Sequence, residues 1–124
     1  MISSYRDLKV WQEAMALAKA CYLLTKSFPR EELFGLTSQI RRAAASVPAN
    51  IAEGNGREST GDYIRALRVT QGSLKELETH LLLSADVGLC PAARTAPLLE
   101  RSDAIGRMLR SLIRSLQNRR ESES

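Results

Sequence analysis

Apolar residues recur three and four positions apart along most of this chain, in four blocks separated by residues that break helices. The first block runs from about Asp7 to Ser27. Leu8, Trp11, Met15, Ala18 and Tyr22 form its stripe, and Leu17, Cys21 and Leu24 widen it. Phe28-Pro29 ends it, because the residue before a proline is pushed out of helical geometry. The second block spans about Glu31 to Arg57, with Leu36, Ile40, Ala44, Val47 and Ile51 as its stripe. Pro48 falls inside it and cannot donate to the carbonyl of Ala44, which predicts a kink or local break. Gly54 and Gly56 close the segment.

A cap signal at Ser59 or Thr60, with Asp62 in the first turn, opens the third block. Tyr63, Leu67, Thr70, Leu74, Leu77, Leu81 and Ser84 then form a heptad-like seam of the kind left-handed bundles use. Gly88 and Pro91 end it. The fourth runs from about Pro97 to Gln117 on Leu98, Ile105, Leu109, Leu112 and Leu116, with Met108 and Ile113 beside them. The tail, about 118–124, has no apolar anchor and is expected to fray. Short links between four helices favour antiparallel neighbours. The expectation is an all-α, up-down-up-down four-helix bundle, one domain over 1–124.

Composition fits this picture. A chain of 124 residues with 44% hydrophobic content can bury a core without metals or disulfides, and only 5% of it is aromatic. Cys21 and Cys90 lack CxxC spacing and read as reduced thiols. No N-terminal apolar run resembles a signal peptide, and nothing reaches the ~20 apolar residues of a membrane span. The expected location is the cytoplasm.

Candidate chemistry is sparse. Glu76, His80 and Ser84 stand at i, i+4 and i+8, but one straight helix points them in parallel, so a solvated ladder is expected in place of a triad. Cys21, Cys90 and His80 lack metal-ligand spacing, there is no ExxH pair for a di-iron bundle, and Gly54-Asn55-Gly56 follows a helix, so no phosphate loop is expected. No enzyme activity, cofactor or metal is expected.

Charge changes the picture more. Net charge is +4, and seven arginines lie between Arg94 and Arg120 against Glu100 and Asp103. Arg107, Arg110 and Arg114 fall at i, i+3 and i+7, a ridge that can track phosphates, with Arg119 and Arg120 beyond it. RNA or DNA is therefore a candidate partner; a solvated face that serves solubility is the alternative. On the second helix Gln39, Arg42, Ser46, Asn50, Glu53 and Arg57 share about a third of the circumference. Beside them Ala45, Pro48 and Ala52 make a small-residue face, and Gly72 weakens the third helix at mid-length. These features suggest a subunit contact or a ligand groove, with Arg42, Asn50, Glu53 and Arg57 structural in role. A solvated face with a Glu53–Arg57 pair is the bland alternative.

Several strings add up: Leu8-Lys9-Val10-Trp11-Gln12, Phe28-Pro29-Arg30-Glu31-Glu32, LTSQIRRAAASVPANIAEGNGR over 36–57 and GSLKELETHLLLS over 72–84. Together they resemble the bacterial four-helix-bundle family encoded in intervening sequences of 23S ribosomal RNA genes, often labelled S23 ribosomal protein. The chain is also similar to the accessory variability protein of diversity-generating retroelements. The resemblance covers about Tyr5 to Leu116 and implies a homopentameric barrel. It further implies nucleic acid, and a reverse transcriptase or another protein, as partners.

Overall fold

The structure, a computed structural model, describes residues 4–123. Its elements are α1 (Lys9–Thr25), α2 (Leu36–Asn55), α3 (Thr60–Asp86) and α4 (Ala92–Glu123), with short 3-10 turns at Tyr5–Asp7 and Arg30–Glu32. Each helix packs on the next and α1 closes on α4, while among the described residues the backbones of the diagonal pairs stay more than 8 Å apart, Cα to Cα. That is the arrangement of an up-down-up-down four-helix bundle.

Local chemistry sets the element ends. The Ser4 hydroxyl accepts from the Arg6 amide and starts the first 3-10 turn. A second such turn replaces the expected helical start at Glu31. The Glu32 carboxylate then folds forward and accepts from the Leu36 amide at 3.0 Å, capping α2. A Cβ on Gly35 would stand 2.7 Å from that carboxylate oxygen and would push the capping side chain aside. Ser59 caps α3 by accepting from the Asp62 amide at 3.1 Å. Gly88, at φ +82°, turns the chain out of α3.

Other expectations need correcting too. α2 is continuous through Pro48, which is buried, so the helix absorbs the missing donor without a break. α4 begins at Ala92, five residues before the expected start, because Pro91 stands just ahead of it and Pro97 is accommodated inside. α4 also runs past its last apolar anchor, helical to Glu123. Gln, Arg and Glu are good helix formers, and lengthening a formed helix needs no new nucleus.

The core is one cluster. Every residue of the α3 seam is buried, as are Ile40, Ala44, Val47 and Ile51 of α2, and Leu98, Ile105, Leu109, Ile113 and Leu116 of α4. α1 departs from expectation. Its core row is Val10, Ala14, Leu17, Ala18, Cys21 and Leu24, while Met15 and Tyr22 are 46% and 43% exposed. The stripe Trp11, Met15 and Tyr22 sits about a third of the circumference away from that row. Cys21 and Cys90 are both free and buried, and burial pushes the Cys21 thiol up to about 12.

Candidate functional site

Three surfaces hold the residues singled out in the sequence. The first lies between α1 and α2. Its floor is Ala18 of α1 with Ala45, Pro48, Ala49 and Ala52 of α2, and its wall is Trp11, Met15 and Tyr22. Tyr5 closes one end, its ring edge-on to Trp11 at 5.2 Å between centroids. Arg41 lies over the Tyr22 ring at 4.9 Å while its Nε donates to Thr25 Oγ1 at 2.9 Å. The result is an apolar groove of about 600 Å³. The small-residue face expected at Ala45 and Ala52 is thus half of a concave surface. The other half was legible as a stripe in α1, but that stripe reads equally well as core.

The polar residues of α2 lie on its other flank. Asn50, Glu53 and Arg57 border a shallow depression completed by Asp62, Arg65, Ala66 and Val69 of α3. Arg57 Nη2 donates to Glu53 Oε1 at 2.6 Å, with side chains 53% and 59% exposed, and this bond raises the Arg57 pKa further. The Asn50 amide donates to the Ser46 carbonyl and the Ser46 hydroxyl to the Ala43 carbonyl, each at 2.8 Å. Arg42 is exposed and Gln39 half-buried. Within the single chain Glu53 pairs with Arg57, while Ser46 and Asn50 spend their donors on carbonyls of their own helix. Gly72 is on the outward side of α3, and a Cβ there would meet nothing within 4 Å, so no helix crossing inside the chain requires it.

The third surface is α4. Arg107, Arg110 and Arg114 are exposed and share its outward side. Among the described residues none of the three makes an ion pair within 4.0 Å. The last two arginines diverge from this ridge. Arg119 borders a cleft at the bundle's end with Asn55, Tyr63 and Leu116, and the Arg120 guanidinium lies against Gly61 of α3, 3.2 Å from where a Cβ would stand. Arg107 and Arg110 also line a cleft between α3 and α4 that the sequence did not suggest. Its residues come from stretches some thirty positions apart, and only packing joins them.

The ladder on α3 is not solvated throughout, since Ser84 and the Nε2 atom of His80 are buried. His80 Nε2 stands 3.6 Å from Glu76 Oε1, and Ser84 donates its hydroxyl to the His80 carbonyl at 2.8 Å, so the hydroxyl serves the backbone and not the ring. Among the described residues no group of three or more His, Cys, Asp or Glu side chains could hold a metal ion. Among them, too, no helix is long and apolar enough to cross a membrane.

Residues 6–111 match the model of the 23S rRNA-intervening sequence protein family, and the chain belongs to that family. No curated protein matches the chain. A crystal structure of a protein of unknown function from the S23 ribosomal protein family of Bacteroides thetaiotaomicron is similar to it. The two are 23% identical, with a TM-score of 0.75 over 84% of this chain and 97% of that one. At that identity the likeness speaks to the fold: both chains are the same kind of helical bundle.

Proposed function

We propose that this member of the 23S rRNA-intervening sequence protein family is a non-enzymatic, self-associating accessory bundle of the cytoplasm that binds RNA or DNA through the α4 ridge. The observation that carries the reading is the set of Arg107, Arg110 and Arg114, three exposed guanidinium groups on one side of one helix with no ion-pair partner among the described residues. Bare guanidinium groups at this spacing suit phosphate oxygens, which accept their forked donors. Such binding reads charge and not bases, and there are few aromatics to stack on.

The test is a salt titration with a random-sequence duplex. Affinity falls with a log–log slope near −0.9 for each phosphate contacted, and the triple change of Arg107, Arg110 and Arg114 to Ala weakens all sequences about equally and flattens that slope. A wild type that binds nothing at ~50 mM salt, where phosphate contacts are strongest, makes the ridge a solvated face.

The α1/α2 groove favours a second element of the reading, protein contact. An apolar concavity with an alanine floor takes a helix from a second copy or from another protein, a reverse transcriptase among the candidates. We put the assembly at five chains, following the family resemblance. Light scattering that gives the 13.7 kDa monomer at micromolar concentration ends this part of the proposal. Ala52→Arg places a charge on the floor and splits the assembly while leaving helicity intact. Exposed pairs contribute ~0–1 kcal/mol, so Glu53→Ala is expected to act on oligomer mass and hardly on the melting of the single chain.

A further inference from the structure

We infer that the cleft between α3 and α4 seats one backbone phosphate of a bound nucleic-acid strand. The inference rests on the nucleic-acid reading and names the place where the ridge grips. The cleft measures about 190 Å³. Leu74 and Gly106 form its floor, Gln71 and Lys75 of α3 stand on one rim, and Arg107 and Arg110 of α4 stand on the other. Donors therefore converge from two helices on one concavity, which a ridge on a single helix cannot arrange.

Its charge is set up for an anion. Two carboxylates also line it, Glu78 and Asp103, but Glu78 is already spent. Its Oε1 accepts from Lys75 Nζ at 3.1 Å, and its Oε2 takes the hydroxyl hydrogen of buried Ser102. With that pair set aside, Arg107 and Arg110 face one uncommitted carboxylate, and the whole lining carries three cations against two carboxylates. The amide of Gln71 adds a neutral donor, and Arg114, about 6 Å further along the axis, continues the track to a neighbouring phosphate.

Gly106 supplies an independent reason. Glycine inside a helix costs ~1 kcal/mol against alanine. A Cβ here would stand 3.7 Å from Arg110 Nη1 and 3.8 Å from Leu74 Cδ2, ordinary contact distances, so packing does not demand the glycine. What glycine does provide is an open floor beside the Arg110 guanidinium.

That floor makes the seat testable without touching a charge. Gly106→Leu fills the cleft with a better helix former. The probes are random-sequence duplex DNA, single-stranded DNA and single-stranded RNA of twenty nucleotides, titrated across salt with the full chain. If the cleft seats a phosphate, affinity falls about tenfold and the duplex log–log slope loses about 0.9, one contact. If Gly106→Leu binds as the wild type does, the seat is overturned and the ridge alone carries binding. If the wild type itself does not bind at ~50 mM salt, both readings fall. Should circular dichroism show Gly106→Leu misfolded, Lys75→Gln takes its place, since the Lys75 side chain is 74% exposed. It is expected to lose the same slope, whereas Lys9→Gln on distant α1 is expected to keep it; equal losses from both overturn the seat.

Discussion

α1 and α3 carry the same kind of apolar periodicity and use it differently. In α3 every member of the stripe from Tyr63 to Ser84 is buried inside the chain. In α1 the apolar residues divide between a true core row and an outward stripe of Met15 and Tyr22, with half-buried Trp11 packed against the core at its end. Periodicity reports that a face avoids water; it does not report whether the surface that covers it belongs to the same chain. Where a helix has apolar residues over more than one stripe, as in α1, the pattern alone leaves the rotation about the axis open.

The sharpest test of that contrast removes one residue from each stripe. Leu77, with none of its surface exposed, is expected to cost about 2–5 kcal/mol as Leu77→Ala in urea denaturation. Met15→Ala is expected to stay within about 0.5 kcal/mol when the chain is dilute enough to be monomeric. Equal losses would place Met15 in the core and erase the distinction.

A second test concerns where α3 meets α2. A Cβ on Gly54 would stand 2.7 Å from the Ala66 Cβ and 3.0 Å from the Tyr63 ring. Gly54→Ala is therefore expected to destabilise by about 1–3 kcal/mol, through overpacking of the closest approach between the two helices. A neutral result would show that the pair can spread at no cost.

The core row of α1 has its own signature in pH. The Cys21 pKa is raised from 9.0 to about 12 by burial. The folded chain therefore holds this proton more tightly than the unfolded chain does. Its contribution to stability is complete below pH 9 and is lost as pH rises from there toward 12, by at most about 1.4 kcal/mol per pH unit. The stability gap between wild type and Cys21→Ala is expected to narrow over that range. A gap that stays constant would mean the thiol is reached by water.

The smallest effect is expected on the outward side of α3. Gly72→Ala has open space for its methyl group and is expected to stabilise the monomer by about 0.5–1 kcal/mol. A gain in monomer stability joined to a loss of oligomer mass would assign the glycine to an intermolecular contact.

How much of this was legible follows from how local each feature is. The α3 seam, the Ser59 cap and the exposed side of the Arg107–Arg114 ridge depend on spacing within one helix, and spacing is visible in a sequence. The ends of α4 lie beyond its apolar anchors: Pro91 stands just ahead of its start, and Arg119, Arg120 and Glu121 extend it as ordinary helix formers. The α1/α2 groove was half legible, through Ala45, Pro48 and Ala52. The α3/α4 cleft was not legible at all: Gln71 and Lys75 acquire their relation to Gly106 and Arg110 only once two helices lie antiparallel in a fixed register.

α4 has 32 residues and α1 has 17, so at 1.5 Å per residue one helix runs about 48 Å and the other about 26 Å. The inequality divides α4 into two mechanical regimes. Up to Leu116 its inner side is clamped in the core, and beyond its first turn its amides are expected to exchange with solvent hydrogen mainly when the bundle opens. From Gln117 to Ser122 every side chain is exposed, and opening there gives up helix backbone bonds and rim contacts such as Arg120 on Gly61, but no core packing. Protection against exchange should therefore drop sharply within about two turns of Leu116. The last turns of α4 behave as a short cantilever, fixed at one end, that can unwind and rewind while the bundle behind it stays closed.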